Sequence, residues 1–296
     1  MNVAAIDIGT NSTRLLIADE HGAWIDRRAV VTRLGQGVDA EGAFGIEPME
    51  RTWAVLTSYA QAVQQLDAHR VRAVATSAAR DASNRDEFLG RAKEILGVEP
   101  EVISGEEEAA LAFKGARAGF AGEPAPFAVV DVGGGSTEIA VGDAVPTYEK
   151  SFDIGSVRVS ERLAPDRPMP EEQFAAAQSW ARDVFADIDA RPASIVGVAG
   201  TFTSLAGIHL DLDHYRPDLI EGTAISLRDL WRMARELSAM MTDAVAAFPS
   251  VDPARAYVLP AGAIVVAAAV ESLGGTSVLV SEHDNLDGIV MGLLAT

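Results

Sequence analysis

The 296-residue sequence contains no cysteine, which excludes disulfide bonds, thiolate metal sites and a cysteine nucleophile. Its first residues carry no basic segment followed by an apolar core, so we expect no secretory signal peptide. The longest apolar stretch, AGAIVVAAAVESL, is too short to cross a bilayer. These absences predict a cytoplasmic protein that does not associate with membranes.

Positive charge is also scarce, because 24 basic residues stand against 43 acidic ones and the formal net charge is −19. No run of lysines and arginines resembles a nucleic-acid patch, so we expect no direct binding of nucleic acid. This charge would repel an anionic substrate unless a metal ion, backbone N–H groups and a few arginines reverse the field locally. A phosphate site in this chain should therefore combine these elements.

Short β-rich runs alternate with helical patterns along the chain, which is typical of an α/β fold. The chain is longer than the size at which one hydrophobic core usually stops growing, so two domains are expected. The most linker-like stretch is AGFAGEPAPF (118–127), which is rich in glycine, proline and alanine. We place the boundary there, with an N-terminal domain over 1–122 and a C-terminal domain over 123–296.

A repeated motif opens each predicted domain, as AIDIGTNSTRLLIA (5–18) aligns with VVDVGGGSTEIAVG (129–142). The identical positions are Asp7, Gly9, Ser12 and Thr13 in the first copy and Asp131, Gly133, Ser136 and Thr137 in the second. Both copies read as a strand, an acidic residue, a tight turn, small hydroxyl residues and a second strand. The copies differ where the first has Arg14 and the second has Glu138.

The composition of this motif suits phosphate chemistry. Backbone N–H groups of a Gly/Ser/Thr turn form a concave anion site, and glycine lets the backbone approach the anion. A neighbouring carboxylate can hold Mg²⁺ or Mn²⁺, which then bridges to phosphate oxygens. A simple β-hairpin turn would explain either copy alone, but the duplicated acidic residue favours two turns that clamp phosphates across a cleft.

A third candidate phosphate loop is VGVAGTFTSLAGI (196–208), which reads as an apolar strand, a turn with Gly200 and Thr201, and a helix. A helix N-terminus attracts anions through its dipole and its free N–H groups. The alternative is that Thr203 or Ser204 only caps the helix.

Six blocks then occur in a characteristic order: IDIGTNSTRLLIAD, ATSAARDASNRDEF, ISGEEEA, VDVGGGSTEI, IGSVRVSE and GVAGTFT. Over nearly the whole chain they resemble the short, two-domain form of the exopolyphosphatase / guanosine pentaphosphatase (Ppx/GppA) phosphohydrolase family, in the actin-like ATPase superfamily. The resemblance implies an α/β fold of two ribonuclease-H-like domains flanking a central cleft. It also implies Mg²⁺- or Mn²⁺-dependent release of terminal orthophosphate from inorganic polyphosphate, with short chains preferred. Hydrolysis of guanosine pentaphosphate (pppGpp) is the alternative.

The resemblance further implies roles for individual residues. The implied catalytic residues are Glu108 as general base, Asp131 and Glu138, and the implied metal ligands are Asp7, Asp131 and Glu138. The implied phosphate-binding residues are Asn11, Ser12, Thr13, Arg80, Gly133, Gly134, Gly135, Ser136, Thr137, Arg158, Gly200 and Thr201.

The acidic triplet 106–108 has a second explanation, because Ser104 and Glu107 predict a capping box and acidic residues favour the first turn of a helix. Successive helix residues point about 100° apart, so the three glutamates cannot share one role. Capping explains Glu107, and the resemblance selects Glu108. Arg80 and Arg158 likewise have surface salt bridges as an alternative to phosphate contacts.

The superfamily leaves other functions open: a sugar or acetate kinase, an actin-like assembly protein, or a sensor that binds phosphate chains without turnover. One block departs from the family, because many members read VSxxGLREGL where this chain has VSEHDNLDGIVMGL (280–293). The missing arginine leaves the role of Ser281–Gly288 and the substrate preference open. A homodimer is expected, since two-fold dimers are the commonest oligomers.

Overall fold

The structure, a computed structural model, describes residues 1–295 and contains two β-sheets. The strands of the first sheet are β1 (Asn2–Ile8), β2 (Ser12–Ala18), β3 (Trp24–Val31), β4 (Ala68–Ala75) and β5 (Glu101–Val102). Those of the second are β6 (Phe127–Val132), β7 (Thr137–Gly142), β8 (Pro146–Phe152), β9 (Ser194–Val198), β10 (Ala224–Ser226) and β11 (Ser277–Val280). We call the two halves of the molecule built on these sheets the first and second lobes.

The two sheets share a topology. The first has the order β3-β2-β1-β4-β5, in which an antiparallel meander is extended by parallel strands. The second has the order β10-β11-β9-β6-β7-β8, with the equivalent meander β8-β7-β6 and parallel strands β9 and β11. The motif repeated in the sequence is therefore the hairpin β1–β2 of one lobe and the hairpin β6–β7 of the other.

Helices cover both sheets. They are α1 (Val38–Glu41), α2 (Ile46–Gln65), α3 (Ser77–Asp81), α4 (Arg85–Leu96), α5 (Gly105–Gly119), α6 (Ser156–Leu163), α7 (Glu171–Phe185), α8 (Ala199–His209), α9 (Pro217–Ile220), α10 (Leu227–Ser238), α11 (Thr242–Ala246), α12 (Leu259–Ser272) and α13 (Asn285–Leu294). A 3-10 turn, Pro253–Arg255, precedes α12. Within the described residues, no helix is both long and apolar enough to cross a membrane.

The longest apolar stretch of the sequence forms the central helix of the second lobe. Every residue of α12 from Leu259 to Val270 is buried, because its alanines and branched aliphatic residues present an apolar surface in all directions. It packs against α6, α7, α8 and α10, and its Gly262 lies beside Ser156 and Thr201 of the cleft. The stretch is thus a core helix, which supports the parts of the second lobe that line the cleft.

Helices α5 and α13 join the lobes. Helix α5 packs through Phe113 on the second sheet, whereas α13 packs through Ile289 on the first. The helices cross closely, since a Cβ added to Gly115 would lie 1.9 Å from the carbonyl oxygen of Asp284. Each sheet is therefore covered by a helix from the other half of the chain. The predicted domain boundary between residues 122 and 123 falls in the loop after α5 and stays a prediction.

Candidate active site

The two predicted phosphate turns have the same geometry. The N–H of Gly9 donates to the carbonyl oxygen of Ser12 at 3.0 Å, and the N–H of Gly133 donates to that of Ser136 at 3.1 Å. A Cβ on either glycine would lie only 2.8 or 3.1 Å from the same oxygen. Both turns are therefore tight enough to favour glycine, and the repeat seen in the sequence is a repeat in structure.

The two turns meet across the cleft. A Cβ on Gly134 would lie 3.1 Å from the amide nitrogen of Asn11, and one on Gly135 would lie 3.0 Å from Thr10 Oγ1 and 2.5 Å from Ser77 Oγ. The second copy thus carries glycines where the first loop approaches it. The space left between the loops is a cavity of about 60 Å³, which we call the cleft cavity.

Most of the predicted site residues line this cavity. They are Asp7, Asn11, Ser12, Glu108, Asp131, Gly133, Gly134, Gly135, Ser136, Gly200 and Thr201. The last two belong to the first turn of α8, which follows β9 directly, so the predicted strand, turn and helix of the third loop are present. Ser12 Oγ is buried and has no hydrogen-bond partner among residues 1–295, so it is free to bind a ligand.

Four predicted phosphate ligands do not line the cleft cavity: Thr13, Thr137, Arg158 and Arg80, the last of which is described below. Thr13 Oγ1 lies 3.0 Å from Thr32 Oγ1, and Thr137 Oγ1 donates to the carbonyl oxygen of Ile154 at 2.6 Å. These two hydroxyls tie each hairpin to its own lobe.

The guanidinium of Arg158, the third of these residues, forms ion pairs at 2.6 Å with Asp39 and Asp81 of the first lobe. Arg158 therefore joins the lobes through salt bridges, which was the alternative to the phosphate-binding role predicted for it. These ion pairs lie beside a narrow space on one side of the cleft, which Arg158, Asp39 and Asp81 line.

The two hairpins place different partners beside their aspartates. Asp7 lies directly opposite Arg14 in the β1–β2 ladder, and Asp131 lies directly opposite Glu138 in the β6–β7 ladder. Opposite residues of a ladder project from the same face of a sheet. The first hairpin therefore has an aspartate neutralised by an arginine, and the second has a pair of carboxyl groups. The difference between Arg14 and Glu138 in the sequence predicted that the two hairpins are not equivalent.

Three buried carboxyl groups converge at the cleft. Burial raises the pKa of Asp131 to about 7 and, with the nearby Asp131 charge, that of Glu138 to about 7. Burial also holds the pKa of Glu108 well above its usual range, and the Glu138 charge raises it further. Clusters of perturbed carboxyl groups in a cleft are typical of acid–base sites.

Arg80 connects this cluster. Its Nη1 donates to Glu108 Oε2 at 2.9 Å and to the carbonyl oxygen of Ile103 at 3.1 Å. Its Nη2 lies 3.3 Å from Ser136 Oγ and 3.8 Å from Glu138 Oε1. The arginine predicted to bind phosphate thus holds the predicted general base in place, and its charge opposes the rise in the pKa of Glu108.

The capping prediction for α5 is half correct. Ser104 Oγ accepts the N–H of Glu107 at 3.2 Å, as a helix cap does. The Glu107 carboxylate, however, pairs with Arg72 at 2.7 Å instead of returning to the backbone of Ser104. The predicted capping box is therefore wrong in its second half, because a cation was available nearby.

Oxygen donors suited to a hard cation are present beside the two turns. Asp7 Oδ1 is buried without a hydrogen-bond partner in the described chain, and the buried Asp131 carboxylate has no ion pair among the same residues. The described residues contain no complete set of three acidic or histidine ligands. Mg²⁺ commonly needs only one or two carboxylates, with water and substrate phosphates completing its shell. The donor set therefore fits Mg²⁺ or Mn²⁺. The third predicted ligand, Glu138, accepts a hydrogen bond from Ser151 Oγ at 2.7 Å.

The divergent segment Ser281–Gly288 contacts the first lobe. Arg14 Nη1 donates to Asp284 Oδ2 at 2.6 Å, and Arg14 Nε donates to Asp7 Oδ2 at 2.9 Å. Although burial alone would lower it, Asp284 and Asp7 together raise the pKa of Arg14. Arg14 is therefore a fully compensated cation that ties the C-terminal segment to the first phosphate turn.

Arg255 is a site residue that the sequence did not reveal. Its guanidinium packs on Gly200, where a Cβ would lie 2.0 Å from Nη1, and it lines the cleft cavity. It has no ion pair within residues 1–295, and burial lowers its pKa. An uncompensated cation at this position favours an anionic ligand. The one sequence signal is an arginine shortly before a long apolar helix, since Arg255 precedes α12, whose residues Leu259 to Val270 are apolar.

A second and larger cavity, of about 580 Å³, adjoins the first. The two share Arg14, Ala199, Gly200 and Arg255 as lining residues. Its wall includes the aromatic rings of Trp24 and Tyr215. We call this space the outer cavity.

Two lobes with equivalent hairpins, joined around a phosphate-type cleft, define a protein of the two-lobed actin-like ATPase class. The chain belongs to the Ppx/GppA phosphatase family, whose family model matches residues 15–296. It is 40% identical over 312 aligned positions to exopolyphosphatase 2 of Mycobacterium tuberculosis, and the alignment covers 98% of each chain.

Solved structures agree with this assignment. A Ppx/GppA family member from Aquifex aeolicus is 29% identical, with a TM-score of 0.84 and coverage of 100% of this chain and 98% of that one. An exopolyphosphatase from Cytophaga hutchinsonii is 25% identical, with a TM-score of 0.91 and the same coverage. The predicted family and fold class are confirmed.

Proposed function

We propose that this protein is an exopolyphosphatase, which hydrolyses the terminal phosphoanhydride bond of inorganic polyphosphate. The observation that carries the proposal is the buried Glu108 carboxylate, oriented by Arg80 at 2.9 Å and facing the cavity between two phosphate-type turns. The family and the name of the mycobacterial relative support the same reaction.

Glu108 is the general base of the proposed reaction. It accepts a proton from a water molecule as the water oxygen forms a bond to the terminal phosphorus and the bridging P–O bond breaks. The shortened chain leaves with the bridging oxygen. A carboxyl group with a raised pKa suits this role, because a base works best when its pKa is near the working pH.

The surrounding residues bind and neutralise the phosphates. The donors available are backbone N–H groups of the turn residues 10–11 and 134–135, the free Ser12 hydroxyl and the uncompensated Arg255. In phosphoryl transfer most of the catalysis comes from such positioning and charge stabilisation. This local positive field would offset the net charge of −19.

A divalent cation completes the proposal. Asp7 and Asp131 would hold Mg²⁺ or Mn²⁺, with Glu138 beside Asp131 in the neighbouring strand. The ion would neutralise phosphate charge and orient the chain end. The cytoplasmic location and the homodimer remain predictions from the sequence.

The second candidate is hydrolysis of the 5′-terminal phosphate of pppGpp. The outer cavity favours it, because a space of about 580 Å³ with the rings of Trp24 and Tyr215 in its wall is large enough for a nucleoside.

A substrate panel tests the proposal. Orthophosphate release is measured with tripolyphosphate, long polyphosphate, pppGpp and ATP, each with Mg²⁺, with Mn²⁺ and with a chelator. We expect nucleotide-independent release from polyphosphate that the chelator abolishes. Release from pppGpp alone would favour the second candidate, and release from ATP alone would indicate a nucleotide-dependent member of the superfamily.

A further inference from the structure

Three of the four arginines that line the outer cavity already have carboxylate partners, and the fourth, Arg255, lies where this cavity meets the cleft cavity. Arg14 and Arg27 both pair with Asp284, at 2.6 and 3.0 Å, and Arg28 pairs with Asp26 at 2.7 Å. A guanidinium that already has a carboxylate partner attracts a second anion weakly. Polyphosphate entering this cavity would therefore meet cations that are mostly neutralised.

Glu282 lines the same cavity without a cationic partner. Its side chain is buried and its Oε1 accepts the Tyr215 hydroxyl at 2.6 Å. No cationic side chain among residues 1–295 forms an ion pair with this carboxylate, and the Arg27 charge acts on it only at longer range. The segment is held rigidly, because the carbonyl oxygen of Glu282 accepts Arg27 Nη2 at 2.6 Å. A fixed, unpaired carboxylate thus lies in the wall of the outer cavity.

A bound phosphate chain has enough space to extend from the cleft cavity on one side only. On one side the cleft is bordered by the ion pairs of Arg158 with Asp39 and Asp81, around a space of only about 10 Å³. On the other side, past Gly200 and Arg255, it adjoins the outer cavity. Phosphates beyond those held in the cleft would therefore enter the space that Glu282 lines.

On the basis of the proposed function, we propose that Glu282 is a specificity-determining residue that disfavours long polyphosphate. A short chain keeps its phosphates in the cleft, near the turns and Arg255. A longer chain places further negative charge beside an unpaired carboxylate and among arginines that Asp284 and Asp26 already neutralise. The acidic residues of the divergent segment 281–288 are thus the source of the preference.

The test compares kcat/KM per chain end for tripolyphosphate and for a long polyphosphate of narrow length distribution. Glu282→Gln keeps the size and the hydrogen-bonding atoms of the side chain but removes its charge. One unit charge a few ångströms from a phosphate in a partly solvated site should change the ratio of the two values about tenfold in favour of the long chain. Tripolyphosphate provides the internal reference within each variant.

Two further variants separate charge from other effects. Asp213→Asn removes one negative charge from an exposed side chain that does not line the cavity, so the ratio should not change. Tyr215→Phe removes the hydroxyl that donates a hydrogen bond to Glu282 but leaves the Glu282 charge. Discrimination against the long chain should therefore persist or increase.

An unchanged ratio in Glu282→Gln, with the wild type active, would overturn this inference alone. The inference would also be overturned if Tyr215→Phe relaxes discrimination as much as Glu282→Gln does, because shape would then matter more than charge. If the wild-type protein releases orthophosphate from no polyphosphate, the proposed function fails and this inference fails with it.

Discussion

Arg80 holds Glu108 and the second phosphate turn together, because its two terminal nitrogens lie 2.9 Å from Glu108 Oε2 and 3.3 Å from Ser136 Oγ. The orientation of the proposed base therefore depends on one guanidinium. This relationship leads to a prediction that differs from the phosphate-binding role expected from the sequence.

Arg80→Gln should lower kcat by about 10²-fold, because a catalytic group displaced by about 1 Å can lose this much. KM should change much less. Since the Arg80 charge lowers the pKa of Glu108, its loss should also move the acid limb of the kcat/KM–pH profile to higher pH. The matched control is Arg72→Gln. It removes the ion-pair partner of Glu107, which lies next to Glu108 on α5. A large KM effect with no pH shift would instead indicate a phosphate ligand.

The pH dependence should also report the Glu138 charge. Because the pKa of Glu108 is raised by burial and by Glu138, kcat/KM should rise as the base ionises, with an acid limb at higher pH than an ordinary glutamate would give. Glu138→Gln removes the like charge and should move this acid limb to lower pH, opposite to Arg80→Gln. The height of the profile is expected to fall as well, but its position is the diagnostic. A limb that stays in place would show that the two carboxyl groups are not coupled.

Arg255 should contribute mainly to substrate binding. Arg255→Gln is expected to lower kcat/KM by about 10- to 100-fold, largely through KM, since a hydrogen bond to a charged group contributes about 1.5–3 kcal/mol. Steady-state kinetics with tripolyphosphate measures this. Arg228→Gln, at the start of α10 and away from both cavities, is the control and should behave like wild type. Equal KM values for the two variants would exclude a role for Arg255 in binding.

The ion pairs of Asp39 should hold the lobes together. Asp39→Asn weakens the pairs with Arg158 and Arg162 across the lobes, so the radius of gyration from small-angle X-ray scattering should increase. The free energy of unfolding should fall by about 1 kcal/mol, because such partly exposed pairs are weak. Glu171→Gln, which removes an exposed pair within the second lobe, is the control. Identical scattering from wild type and Asp39→Asn would contradict this role.

The sequence predicted the centre of each lobe well. The hairpins β1–β2 and β6–β7 were found because their buried strands are continuous apolar runs and their turns repeat the same residues. The strands β3, β8 and β10 were not predicted, and all three lie at sheet edges. WIDRRAVV and PTYEKSF have largely exposed residues, so they show no apolar pattern that would indicate a strand, and β10 has only three residues.

Site residues whose roles depend on distant partners were harder to predict. Arg158 pairs with Asp39, 119 positions away, and no local pattern indicates such a contact. Arg255 ends the 3-10 turn before α12, and its guanidinium reaches Gly200, a contact between distant segments that no local pattern indicates. Asp131 was identified by the internal repeat and Glu108 by resemblance to a family, whereas their convergence with Glu138 and the pKa shifts that follow from burial required the folded chain.

The rate of orthophosphate release by the Glu108→Gln variant tests the proposed general base most directly. With tripolyphosphate and Mg²⁺, we expect orthophosphate release to fall by on the order of 10²- to 10⁴-fold, as for loss of a general base. Calorimetry should show that tripolyphosphate still binds, and Glu106→Gln, at the exposed first turn of the same helix, should retain wild-type turnover. A Glu108→Gln protein that releases orthophosphate at the wild-type rate would contradict the proposed mechanism.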